Sequence, residues 1–238
     1  MKKIKLRWIA FAAGFIVLLL LFQFQFANDD SWESWNLPLA GKVIYLDPGH
    51  GGPDGGAVGT KLLEKDVTLE IAKRTRDYLQ EQGALVLLTR ETDIDLSSIG
   101  TKGYSRKKAE DLRNRVEMIN SSSADMYLSL HLNALPQRQW RGAQTFYDGK
   151  FEENARMAKF IQDELRSNLE NTDRKAKTIH GIYLVKYTNK PGALVEVGFL
   201  SNGEEEKLFS DPDYLDKVAG SVYKGILRYY TDKTEPPE

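Results

Sequence analysis

The chain of 238 residues has no cysteine. That removes disulfides and thiolate-bound zinc and leaves histidine, aspartate and glutamate as the strong metal ligands. Histidine is scarce too: there are three, His50, His131 and His180. Neither sign of charge dominates, the formal net charge being -1. Four basic residues, Lys2, Lys3, Lys5 and Arg7, precede the first acid, Asp29, so the remainder leans acidic. This argues against a nucleic-acid partner, which needs a clustered basic face. Internal repeats and low-complexity tracts are missing. What is present, 41% hydrophobic and 28% charged residues, is ordinary globular composition in a length suited to one substantial core.

Long apolar runs are also few, and the one that stands out lies near the start. Trp8 to Ala27 carries no charge, and at about 1.5 Å per residue a helix of that length crosses a hydrocarbon core of about 30 Å. The expectation is an N-terminal transmembrane anchor over residues 1–27, its basic end cytoplasmic, which places everything from Asn28 on the outer side. The alternative is a cleaved signal peptide, but the run ends in Gln23-Phe24-Gln25-Phe26-Ala27, bulky where a cleavage site wants small residues. Residues 28–40 then form a linker, 41–231 the globular domain and 232–238 a charged tail.

Within the domain, strand patterns alternate with helical ones. Lys42–Asp47, Ala84–Thr89, Asp125–Leu132, Gly142–Tyr147, Gly181–Lys186 and Ala193–Val197 are short apolar or alternating runs, hence strands. Apolar residues spaced by three and four predict helices over Leu63–Gln82, around Ala109–Ile119, around Ala155–Leu165 and over Pro212–Tyr230. The fold class expected is α/β: a single-domain open mixed sheet, mostly parallel, with helices on both faces. The Ser/Gly-rich stretch Ile94–Arg106 is expected to be a mobile loop.

Ligands of such sheets bind beyond the carboxyl ends of the strands. Four chemistry-bearing residues fall there. His50 lies in Tyr45–Gly59, YLDPGHGGPDGGAVG, just past a strand. The glycines permit sharp turns and leave room for a ligand; the phosphate-loop and dinucleotide patterns do not fit. Glu64 starts a helix, where the dipole alone is reason enough for an acid. His131 lies near the end of the strand in SLHLNA; alone, it reads more readily as a satisfied core histidine than as a ligand, but polar Asn133 follows and it reaches the same edge. Glu196 in ALVEVGF is an acid among apolar neighbours, which calls for a buried ion pair or a facing cation. Together, two imidazoles and one carboxylate make a three-ligand zinc site, and another carboxylate beside it serves as a general base.

These motifs, VIYLDPGHGGPDGGAVG, the Glu64 of LLEKDVTLEIA, SLHLNA and LVEVGFLSN, resemble in the same order the zinc-dependent N-acetylmuramoyl-L-alanine amidases of the amidase-3 type. The likeness runs from about Lys42 to Tyr230. It implies one zinc ion per chain held by His50, Glu64 and His131, and Glu196 as the catalytic acid/base. It further implies peptidoglycan as substrate, cut at the amide between N-acetylmuramic acid and L-alanine. Asn133, Arg115 and His180 are candidate substrate-binding residues; Arg115 is alternatively a salt-bridge partner of Asp111. A short anchor with a lone catalytic domain resembles the sporulation-associated branch of the family, which acts on spore-cortex peptidoglycan toward muramic-δ-lactam. The rival readings are a metal-retaining but inactive wall-binding or regulatory domain, and a zinc hydrolase of another amide such as free muropeptides. A protein activator is possible but is not identified by any residue.

Overall fold

The structure is a computed structural model that describes residues 8, 11, 13–21, 23 and 37–236. The chain divides into two compact units between Leu37 and Pro38. In the first, the described residues 8, 11, 13–21 and 23 are helical and exposed, and Leu37 is exposed outside any helix. The remaining residues of the expected 1–27 anchor, and most of the 28–40 linker, lie outside the described residues. Among the described residues no helix is long and apolar enough to cross a membrane, so the structure does not support the expected span.

The second unit is an α/β sheet of six strands: β1 (Val43–Pro48), β2 (Leu85–Leu88), β3 (Met126–Asn133), β4 (Gln144–Tyr147), β5 (Lys177–Thr178) and β6 (Gly192–Phe199). Their order is β2-β1-β3-β6-β4-β5. The first four in that order are parallel; β4 runs antiparallel to β6 and β5 follows β4 in parallel. The helices are α1 (Glu64–Glu81), α2 (Tyr104–Ser121), α3 (Glu152–Leu169), α4 (Tyr183–Tyr187), α5 (Gly203–Phe209) and α6 (Pro212–Thr231). The last is started by Asp211, whose carboxylate accepts from Asp213 N, and by Pro212 in the first turn.

Strand alternation divides the residues between two faces. Ile44 and Leu46, Leu128 and Leu130, and Val195 and Val197 point to one side, where they join residues of α1, α3 and α6 in the main core. Each fully buried aliphatic side chain there contributes roughly 1.5–3 kcal/mol. Tyr45 and Tyr127 point to the other side and pack with Val116 and Ile119 of α2 and Leu184 of α4. Further along the same strands this second face turns polar, with Asp47, Ser129, His131 and Glu196 in successive register.

Two local expectations are corrected. Gly181–Lys186 is not a strand but contains the turn of helix α4. Both sides of β6 are taken by β3 and β4, so this segment has no edge to join there. It satisfies its backbone internally instead, Lys186 N donating to Ile182 O and Thr188 N to Leu184 O. The stretch Ile94–Arg106 is tied down rather than loose. Glu110 accepts from Ser98 Oγ at 2.6 Å and from Thr101 Oγ1, while Asp111 accepts from Leu96 N at 2.8 Å.

Candidate active site

β1 delivers the chain into the loop Gly49–Leu63 at the carboxyl edge of the sheet. His50 has φ +62°, a left-handed conformation that costs a non-glycine residue of order 1 kcal/mol and needs outside support. Two buried arginines supply it. Arg90 donates to Pro48 O at 3.1 Å, Gly49 O at 2.9 Å and Lys65 O at 2.7 Å. Arg115 donates to Pro48 O at 2.8 Å and to His50 O at 2.5 Å. The loop glycines are required by proximity: a Cβ on Gly49 would collide with the His131 imidazole, and one on Gly56 with the Glu64 carboxylate and the His50 ring.

Glu64, the first residue of α1, reaches over the strand ends. Its Oε2 accepts from Ala57 N at 2.6 Å and lies 3.2 Å from His50 Nε2. Its Oε1 accepts from Leu132 N at 2.9 Å and lies 2.9 Å from His131 Nδ1. Each carboxylate oxygen is therefore aimed by a backbone amide. The other nitrogen of His50, Nδ1, lies 2.9 Å from Asp54 Oδ2. Asp54 in turn accepts from Tyr104 OH at 2.9 Å and pairs with Lys108 Nζ at 3.0 Å. His50 Nδ1 has no aligned hydrogen-bond partner, so Asp54 holds the ring through charge at short range rather than through a made hydrogen bond. Sequence reading missed Asp54; the signal was its place four residues after His50, which no helical or strand period brings out.

Glu196 is the direct register partner of His131 across β3 and β6, so the two side chains lie together on one face. Its Oε2 is inaccessible to water and has no hydrogen-bond partner. Burial pushes the Glu196 carboxyl up to about 7, against the pull of His131 and His50 and with the help of Glu64. The opposite holds for Glu64: burial opposes its charge, but the hydrogen bonds of His131 and His50 hold its carboxyl well below the usual range. His131 is raised despite burial, because Glu64 stands against it. The cleft in front of these groups, about 250 Å³, is lined by His50, Lys108 and Leu112 on one side and Gly181 to Leu184, Leu194 and Glu196 on the other.

The trio fits a zinc ion. One donor atom each of His50, Glu64 and His131 lies within 4.8 Å of the others, and tetrahedral bonds of about 2.1 Å set ligand atoms roughly 3.4 Å apart. Two imidazoles and a carboxylate are the right donors for that ion, and the orphaned oxygen of Glu196 beside them suits a polarised water.

The remaining expectations fare differently. Arg115 is 1% exposed, and besides the two carbonyls it binds Asp111 at 2.7 Å and Asp47 at 2.7 Å. Its alternative reading, a salt bridge with Asp111, is what the structure contains, and it sits as a buried tie in the wall of the cleft. Asp47 also accepts from Thr89 Oγ1 and Ser129 Oγ. Burial raises its carboxyl, but Arg115 and the two hydroxyls bring it below the ordinary value. Asn133 ends β3 half-buried, its carbonyl accepting from Leu200 N. His180 is exposed and outside the trio, immediately before Gly181 at the rim of the cleft.

An α/β sheet whose carboxyl edge gathers a metal-type trio and an unpaired carboxylate has the layout of a metallohydrolase. Residues 44–228 match the family Amidase_3, N-acetylmuramoyl-L-alanine amidase, and the chain belongs to that family of hydrolases, as its motifs had implied. The germination-specific N-acetylmuramoyl-L-alanine amidase of Bacillus subtilis is 68% identical over 234 residues, covering 98% of this chain and 99% of that one. The amidase LytC of the same organism is 37% identical over 195 residues, 81% of this chain and 36% of that one. Among solved structures, the CwlD amidase from Clostridioides difficile in complex with the GerS lipoprotein matches with TM-score 0.77 and 42% identity, covering 79% of this chain and 98% of that one.

Proposed function

We propose that the chain hydrolyses the amide between the lactyl group of N-acetylmuramic acid and the L-alanine of the stem peptide in peptidoglycan. The observation that carries this reading is the register pairing of His131 with Glu196 beside Glu64 and His50, within a family of amidases. His50, Glu64 and His131 are the residues that would hold zinc. When bound, zinc supplies Lewis acidity, polarising the scissile carbonyl and lowering the pKa of water to roughly 7.

Glu196 is the proton carrier. Its carboxylate, which lines the cleft, takes a proton from the attacking water as the carbon–oxygen bond forms, then delivers it to the alanine nitrogen as the carbon–nitrogen bond breaks. Burial raises the Glu196 carboxyl in the metal-free protein, and a cation held by the trio would favour its ionised form, the form a general base needs. Asp54, Arg90 and Arg115 keep His50 in place. Leu112, Ile182 and Tyr183 offer the cleft an apolar wall.

The finer assignment is a role in spore germination, acting on cortex peptidoglycan; near full-length identity to a germination-specific amidase supports it. A membrane anchor at residues 8–27 with an extracytoplasmic catalytic domain is supported by the uncharged run and the four basic residues before it. A protein partner is supported by the solved relative bound to a lipoprotein. The test is hydrolysis of purified peptidoglycan with and without chelator. Chelator-sensitive release of free L-alanine amino termini is expected; wall binding with no such release sinks the enzymatic reading in favour of a binding domain.

A further inference from the structure

Helix α5 holds two adjacent acids that the chemistry above does not use. Glu205 and Glu206 are 3% and 6% exposed, and neither has a basic side chain as hydrogen-bond partner. Each spends its carboxylate on backbone amides of other segments. Glu206 Oε1 accepts from Lys61 N at 2.6 Å and Leu62 N at 3.2 Å, the residues that lead directly into Glu64. Glu205 accepts from Phe199 N at 2.8 Å through Oε2, and from Gly142 N at 2.9 Å and Asn171 Nδ2 at 3.1 Å through Oε1. Phe199 ends β6, three residues beyond Glu196.

The helix is itself fixed. Asn202 caps it, accepting from Glu204 N and Glu205 N, and donates to Arg138 O at 3.0 Å. Space for Glu206 is reserved by a glycine: a Cβ on Gly59 would strike its carboxylate, while one on Gly198 would meet the Phe209 ring at 2.8 Å and then Glu205 Oε2 at 3.1 Å. Charge-assisted bonds to amides are among the stronger fixed contacts a buried carboxylate makes, and removing an acceptor leaves buried donors unsatisfied.

We propose that α5 is a clamp: Glu206 is a positioning residue for the metal ligand Glu64, and Glu205 a positioning residue for the strand end that carries Glu196. The inference rests on the function proposed above, because it assigns the clamp to the same metal and base. Its mechanism is geometric. The segment Gly59–Leu63 forms a tight return, Gly59 N donating to Leu62 O and Glu64 N to Ala57 O, and Glu206 is the external acceptor that pins its apex. Without it the turn relaxes and the Glu64 carboxylate loses its aim at His50 and His131. Outer contacts of this kind alter metal affinity by about 10–100-fold.

The experiment measures zinc affinity by competition with a chromogenic chelator, together with kcat and KM on peptidoglycan, in the full chain. Glu206→Ala is expected to weaken zinc binding by about 10-fold or more. Glu206→Gln, whose amide oxygen still accepts both donors, is expected to recover most of it. Gly59→Ala, which displaces the carboxylate without removing it, is expected to reproduce the loss in a chain that keeps every acidic residue. Glu205→Ala is expected to lower kcat with a smaller change in zinc affinity. Zinc affinity in Glu206→Ala and Gly59→Ala within twofold of wild type, at unchanged kcat, overturns the clamp while leaving the amidase reading intact. A wild type that binds no zinc and cleaves no peptidoglycan overturns both.

Discussion

The two faces of the sheet are built from the same strands and have opposite characters. On one, β1, β3 and β6 present only aliphatic residues, buried under α1, α3 and α6. On the other, the same strands begin with Tyr45 and Tyr127 and end with Asp47, Ser129, His131 and Glu196, under the thinner cover of α2 and the short α4. The first face stabilises; the second spends stability on a strained His50, a buried Asp47–Arg115–Asp111 chain and an unpaired Glu196 oxygen. A site of this kind is tolerable because the opposite face carries the fold.

That division can be broken from either side. The largest effect is expected from Glu196→Gln on the polar face. Peptidoglycan hydrolysis should fall by about 10²–10⁴-fold while zinc content holds and the fold is not destabilised. Retained activity in an amino-terminus release assay would falsify the role given to Glu196. Next, His131→Ala should reduce zinc from about one per chain to a small fraction in elemental analysis of the purified protein, with the fold intact by circular dichroism. A stoichiometric metal in that variant would mean that His131 is not a ligand.

Arg115→Ala tests whether the buried ion chain on the polar face is a tie. Removing it leaves Asp47 and Asp111 uncompensated, at a cost of about 3–5 kcal/mol, read by denaturant unfolding; a loss below 1 kcal/mol contradicts the account. Leu128→Ala on the aliphatic face should cost about 2–5 kcal/mol, yet leave kcat and zinc affinity of the folded protein unchanged. If it shifts the metal site instead, the faces are not independent.

The smallest effect sharpens the comparison through pH. The Glu196 carboxyl is raised from 4.5 to about 7 in the folded, metal-free protein. The folded state therefore binds more protons than the unfolded one between those values, and stability falls as pH rises through that window. The loss is at most about 3 kcal/mol. It should vanish in Glu196→Gln and shrink when zinc is present, since a nearby cation favours the carboxylate. Equal pH slopes for wild type and variant in chelator would show that burial does not govern this group.

Much of this was legible beforehand. The alternation in DMYLSLHL placed His131 opposite the aliphatic Leu128 and Leu130, and the structure has it there. An acid inside ALVEVGF demanded a partner or a cation, and Glu196 faces the trio. Arg115 and GIYLVK were harder. A lone helical arginine does not disclose that it reaches the His50 carbonyl 65 positions away, and an apolar run does not disclose that both sides of β6 are already taken by β3 and β4. Asp54, Glu205 and Glu206 are ordinary acids until their neighbours across the fold are known.

Residue order along the chain was enough to determine the periods of strand and helix, the kinds of ligand available and the edge of the sheet at which they emerge. Those properties depend on near neighbours and on side-chain chemistry alone. Tertiary structure decided that β6 lies beside β3, which sets Glu196 against His131, and which buried carboxylates bind amides rather than a cation. Such pairings join residues many positions apart, and their energies come from packing and desolvation that exist only once the chain has closed on itself.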